Sequence, residues 1–431
     1  MARFRTGASP SRREHWLIAF CLCSRNRRRD NRARKNLDCR ACPSYLLEVG
    51  RFAVPIVIFA GLLIAVVLWD GFETIVLPRR VRRRLRLARL FYRSTWVLCS
   101  VPARKLLSKK RLESVLAYYG PLSLLLLIVV WAVALVFGFA LIYFSLGSSV
   151  NAFGEWSFIT DLYMSGTTFF TLGIGDVRPV TTAARLVTVI EAGMGFGFLA
   201  LLIAYLPALN QSFQRREADI SMLDARAGSP PSAACMLERH DHEGGMDDLQ
   251  GQLAQWERWC AELLESHLSF PVLAYYRSQH EDQSWLAALT VILDVSAVLM
   301  VFAGGTCARQ AKRTFAIARH AVVDLAVVFN RPPEKPQSDR LAKGDFLKLK
   351  SAFEASGRTL ADPAESESRL DLLRRLYEPY VESLARHFLL SVPPWIPAPG
   401  QAPDWQRSPW EDISRPGVDI IVDEWKDHHL R

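Results

Sequence analysis

The stretch TFFTLGIGDVRP, Thr168 to Pro179, holds the residues whose types and spacing can do chemistry. Two glycines one residue apart, Gly173 and Gly175, let successive carbonyls point the same way, a conformation that a Cβ makes costly. A row of oxygens from Thr171, Leu172, Gly173, Ile174 and Gly175 can replace the water around a cation, and the Thr171 hydroxyl adds one more oxygen. Asp176 follows directly with a negative charge. Gly173, Gly175 and Pro179 interrupt any helix, and strand alternation is missing, so the backbone here is irregular. At membrane depth such backbone is tolerated only where it is buried in protein or lines a water-filled path, because lipid offers it no hydrogen bonds.

The elements that must hold this stretch are apolar. The chain has 431 residues, half of them hydrophobic, with a formal net charge of +10. Its mean hydropathy of +0.09 is too low for a chain that lies mostly in a bilayer, so the hydrophobic residues must be concentrated. Phe52 to Trp69 and Pro121 to Phe144 carry no charge, and Leu186 to Leu206 carries one acid, Glu191. Each matches a hydrocarbon core of about 30 Å. Leu286 to Gly304 is a fourth apolar run, but Asp294 at its centre costs about 2.5 to 3.5 kcal/mol to insert, so a buried helix of a soluble bundle is the expected state.

Thirteen Lys and Arg lie between Arg79 and Arg111, which puts that segment in the cytoplasm by the positive-inside rule. The second span then leads outward, the glycine-rich stretch lies near the outer face, and the third span returns at Arg215 and Arg216. The region before Tyr45 is also basic (RNRRRDNRARK), lacks a signal-peptide cleavage site and has an apolar run too short to span. The expectation is that the native start lies later, near Leu46 or Val49. Cys21, Cys23, Cys39 and Cys42 fall in that region as C-x-C and C-x2-C pairs. No zinc site is expected of them, and the scattered Cys99, Cys235, Cys260 and Cys307 suit a reducing compartment.

The order of span, short segment, TLGIGD and span resembles the pore module of potassium channels, whose filter reads TVGYG. The resemblance runs from about Leu122 to Leu206. It implies that Thr171, Leu172, Gly173, Ile174 and Gly175 bind the permeant ion, that Asp176 lies at the outer mouth, and that Trp156 to Phe170 is a re-entrant pore helix with its C-terminal end toward the pore. The resemblance also makes Gly195, with Gly193 and Gly197, a gating-hinge candidate, while close helix packing is the alternative. Glu191 either faces the cavity or bonds the pore helix from behind. Three positions depart from the pattern: Ile174 replaces the usual aromatic residue, Thr167 stands where many members have an acid, and Phe170 where a second threonine is usual.

The expected fold is an all-α membrane protein with a re-entrant pore helix and filter loop, followed by a helical cytoplasmic domain. Its parts are a basic extension (1–45), a first transmembrane helix (46–78), a basic cytoplasmic linker (79–118), the pore module (119–207), a linker (208–250) and a helical domain with a proline-rich tail (251–431). Within the last, helices are expected over Leu249–Tyr276 with a break near Pro271, as one or two over Leu286–Phe329, and over Leu370–Leu390. Arg331–Pro336 and Ser391–Pro403 are too proline-rich for helix. His240, Asp241, His242 and Glu243 are read as a solvated loop rather than a metal site. No phosphate loop, dinucleotide motif or nucleophile elbow is present in the sequence, so neither an enzyme nor a cofactor is expected.

The expected protein is therefore a multi-pass channel of the cell membrane that conducts K⁺ or other monovalent cations passively. One filter per chain implies a homotetramer. The basic segments imply contact with anionic lipid, not nucleic acid. A non-selective cation channel and a non-conducting membrane-anchored sensor are the alternatives.

Overall fold

The computed structural model describes residues 44–77, 86–106, 108–146, 149–151, 157–228, 230–240, 245–278, 283–355 and 363–396. The cysteine pairs before Tyr45, Trp156, and Asp241 to Glu243 lie outside that set. The chain divides after Ala53 into two compact units. The described part of the first is Ser44–Ala53, the opening turns of a helix, and the second, Val54–Arg431, holds all the other elements.

Helix α1 (Ser44–Gly71) ends in a π-helical turn, Phe72–Val76. Next come α2 (Leu87–Leu106) and α3 (Lys109–Leu146). Strand β1 (Ser149–Asn151) pairs antiparallel with β2 (Val177–Pro179), and α4 (Phe158–Phe169) lies between them in sequence. Helix α5 (Thr182–Ala227) has 46 residues. At 1.5 Å per residue that is about 69 Å, more than twice the hydrocarbon thickness of a bilayer, so it must continue well beyond the membrane.

The remaining helices are α6 (Ala233–Arg239), α7 (Gly245–Ser269), α8 (Trp285–Phe302), α9 (Gly305–Val328), α10 (Lys343–Ala355), α11 (Pro363–Arg375) and α12 (Glu378–Phe388), with a 3-10 turn at Pro271–Tyr275. Pro271 ends α7 as its missing N–H requires. The 286–329 region is two helices rather than one. Leu370–Leu390 is likewise split, at Leu376 and Tyr377. Composition predicts an open linker over Asp219–Gly251, but α5 runs to Ala227, α6 follows, and Ile220, Leu223, Ala233, Met236 and Leu249 are buried. Apolar residues at helical spacing outweigh the turn signals over the described residues of that stretch. The basic 79–118 segment is also helical in large part, as α2 and the start of α3.

Among the described residues α1, α3, α5 and α8 are long and apolar enough to cross a membrane. They are not equivalent. In α8, 89 % of the residues are buried within the protein, against 22 %, 44 % and 11 % in the most apolar windows of the others. Asp294 at its centre is held by Arg340 at 2.6 Å and by the Tyr377 hydroxyl. The helix thus has the enclosed surroundings of a bundle core, and its acid has a partner that lipid would not supply.

Two apolar cores matter for the site. One joins α1, α3, α4 and α5 through Ile64, Val67, Leu127, Trp131, Leu135, Phe139, Tyr143, Met164, Phe169 and Ala184. A Cβ on Gly138 would stand 2.7 Å from Ile64, so the bare backbone lets α1 approach α3. Asp70 of α1 accepts hydrogen bonds from Trp131 Nε1 at 3.1 Å and from the Ala88 N–H at 3.0 Å, which ties α1 to both α3 and α2. The other core is built by the C-terminal helices around α8.

Candidate pore and filter

Helix α4 begins at Ser157, whose hydroxyl accepts the Thr160 N–H at 3.2 Å, and ends after Phe169. Twelve residues cover about 18 Å, too little to cross a bilayer. The described pore helix is therefore shorter than the expected Trp156–Phe170. Its last carbonyls turn the chain into the glycine-rich stretch. Thr167 O accepts from Leu172 N at 2.8 Å and from Gly173 N at 3.4 Å, and Thr168 O accepts from Thr171 N at 3.0 Å.

Beyond that turn the backbone alternates. Thr171, Gly173 and Gly175 have φ of 57°, 57° and 82°, while Leu172 and Ile174 have negative φ. Alternation between the two hands turns successive peptide groups to the same side, where their dipoles add. For the two glycines this costs little. For Thr171, a β-branched residue, it is a strained state of the kind that survives only where its surroundings impose it.

Leu172 and Ile174 stand 64 % and 61 % exposed on the single chain. Gly175 O accepts from Arg178 Nε at 2.9 Å. Asp176 Oδ1 accepts from Val177 N at 3.0 Å. The end of the stretch is thereby anchored to β2.

Glu191 is fully buried. Its Oε1 accepts from the Ser165 hydroxyl, and its Oε2 from the Tyr143 hydroxyl at 2.7 Å. Tyr143 also lies 3.1 Å from Thr188 Oγ1. The carboxylate is thus behind α4, where it joins α3, α4 and α5, and it does not face an open cavity.

The three glycines of α5 differ. A Cβ on Gly195 would meet Phe169 O at 2.0 Å, whereas Gly193 and Gly197 have nothing within 4 Å on this chain. Gly195 is where α5 touches the backbone at the end of α4, just before the glycine-rich stretch. Close packing accounts for it, and α5 is continuous through all three.

Arg216 has a larger role than the topological marker that the sequence suggests. This side chain is buried and donates to Leu273 O at 2.8 Å and Tyr276 O at 3.1 Å. It also faces His267 Nε2 at 3.4 Å. Burial, and secondarily the Arg216 charge, push the His267 imidazole down to about 3, so it is neutral and accepts at Nε2 while Nδ1–H donates to Leu263 O. The far end of α5 is in this way fastened to α7 and the 3-10 turn. A basic residue beyond a span, followed by a helix with an interior histidine, was the available signal.

Residues 128–211 match the family described as "Ion channel". This segment, about a fifth of the chain, is similar to the pore-loop ion channels. The chain is also 29 % identical over 186 residues to an uncharacterized membrane protein, YdjJ, of Bacillus subtilis (strain 168); the alignment covers 41 % of the chain and 52 % of that relative. The chain therefore spans about half the length of the curated relative it matches. No solved structure matches significantly. The match over this segment supports an ion channel, and the helices long and apolar enough to cross a membrane agree with a membrane protein.

Proposed function

We propose that the protein is a potassium-selective channel of the cell membrane, formed by four identical chains around TLGIGD. The observation that carries this reading is the alternation of hand at Thr171, Gly173 and Gly175, which turns a row of carbonyls one way. Four such rows replace the hydration shell of a cation. Each α4 aims the end of a helix dipole, worth about half a negative charge, at the same axis.

The surface supports assembly. Phe170, Leu172 and Ile174 on the filter, and Leu186, Val189, Phe196, Leu199 and Ile203 on α5, are exposed apolar residues on a single chain. Copies of the chain cover those near the axis and lipid covers the rest. In this reading the C-terminal helices lie in the cytoplasm, and through Arg216 they bias the position of α5 and hence of the pore.

A non-selective cation channel is the second reading. It is favoured by Ile174, which has no phenol with which to brace the filter. The test is substitution at the two filter glycines. Gly173→Ala or Gly175→Ala introduces a Cβ where φ is positive, which an L side chain tolerates poorly. Each variant should assemble as the parent does in a lipid nanodisc, yet lose selective flux. Unchanged ion preference in both would remove the filter assignment, and a parent protein that stayed monomeric in nanodiscs would remove the tetramer.

A further inference from the structure

Helix α2 shows two faces of different character. Leu87, Leu90, Val97, Leu98 and Val101 fall within about a third of its circumference at 100° per residue, and all are exposed, Leu98 at 76 % and Leu90 at 62 %. The opposite face carries Ala88, Trp96 and Ala103, which are buried, with Tyr92 and Cys99 packed against the C-terminal core. Arg89, Arg93 and Arg104 are exposed along one flank of the apolar stripe.

We propose that this stripe rests in the cytoplasmic surface of an anionic bilayer, with the flanking arginines on lipid phosphates. The inference rests on the membrane topology of the proposed function. Helix α2 stands between α1 and α3, two helices that expose apolar sides of membrane-crossing length, so the chain leaves the bilayer and re-enters it on either side of this helix. Its ends continue into basic sequence, Arg79 to Arg86 before it and Lys109 to Arg111 after it. An amphipathic helix with apolar residues on one side and arginines beside them has the composition of an element that lies in the interface. A second copy of the chain fits the stripe poorly, because two such helices laid face to face would bring their arginine flanks together.

The other side of α2 is held firmly. The Ala88 N–H in its first turn donates to Asp70. Trp96 Nε1 donates to His387 O at 3.0 Å, its ring meets Tyr119 and Tyr275 at 4.8 and 5.1 Å, and Tyr92 stacks on Tyr275 at 5.7 Å. Lipid contact on one face is therefore transmitted to the C-terminal helices through the other.

The experiment places a photoreactive benzophenone side chain at Leu90 or Leu98, with Tyr92, which is partly buried and turned to the C-terminal core, as the control, in the full chain. The protein is reconstituted into vesicles of equal parts phosphatidylglycerol and phosphatidylcholine. Irradiation should give phospholipid adducts at Leu90 and Leu98 and not at Tyr92, with phosphatidylglycerol enriched above its mole fraction. The enrichment should fall by up to about fivefold per charge removed in Arg89→Gln and Arg93→Gln. Cross-links between chains at Leu98, or adducts of the two lipids in their mole ratio with no response to the arginine variants, would overturn the proposal. Adduct formation does not require conduction, so a protein that captures lipid but passes no ion would count against the channel reading alone.

Discussion

Gly195→Ala separates a packing glycine from a hinge glycine. The Cβ that alanine adds would lie 2.0 Å from the Phe169 carbonyl oxygen and 2.8 Å from its carbon, both backbone atoms that cannot rotate away. Ordinary contact begins at 3.4 Å, so α5 and the end of α4 must part by more than about 1 Å in a close-packed region. Overpacking of this kind costs about 1 to 3 kcal/mol, partly offset by the gain of up to about 1 kcal/mol that alanine brings over glycine inside a helix. Gly193→Ala and Gly197→Ala gain the second term without meeting the first within the chain. In nanodiscs, the thermal unfolding midpoint should therefore fall for Gly195→Ala alone. Its flux should also drop, because Phe169 leads directly into Thr171. A Gly195→Ala protein with parental midpoint and flux, beside impaired Gly193→Ala or Gly197→Ala proteins, would refute the packing argument and restore a hinge.

Two further outcomes are expected. Glu191→Gln keeps the shape but removes one of the two acceptors that Ser165 and Tyr143 use, at a cost of about 1 to 3 kcal/mol. Ion selectivity should weaken while assembly stays intact, and parental selectivity in a liposome flux assay would show that this acid does not position the filter. The second outcome concerns acid. His267 takes up a proton near 6.5 in the unfolded chain but only near 3 in the folded one, so its contribution to stability is complete above about pH 6.5 and is lost as the pH falls below that. Between pH 6.5 and 5 the loss approaches about 2 kcal/mol. Melting midpoints measured at the two pH values should differ less in His267→Gln than in the parent, and equal differences would contradict the assignment.

What the sequence could express was backbone chemistry and charge. Gly173 and Gly175 are spaced so that an irregular, same-sided row of carbonyls suits them, and long apolar runs with no charge in α1 and α3 and a single acid in α5 mark those helices because a bilayer accepts little else. The side of α5 on which Glu191 lies was not legible, since an acid in an apolar helix reads the same whether it faces water or Ser165. Helix α2 was hidden by its own arginines and by Pro102, which obscure an amphipathic period. The end of α5 and helix α6, within the stretch that reads as a linker, were hidden by the Gly, Ser and Pro residues around them. Asp294 could be read as too costly for lipid. Its partners Arg340 and Tyr377, 46 and 83 residues away, could not be read at all.

The central claim is that TLGIGD forms a potassium-selective ion path. Purified full-length protein in liposomes loaded with K⁺ should release K⁺ and take up Rb⁺ down their gradients, with Na⁺ flux at least about tenfold lower, the ratio that corresponds to about 1.4 kcal/mol of discrimination. Equal passage of Na⁺ and K⁺ would contradict selectivity, and no flux of any of the three would contradict the channel itself.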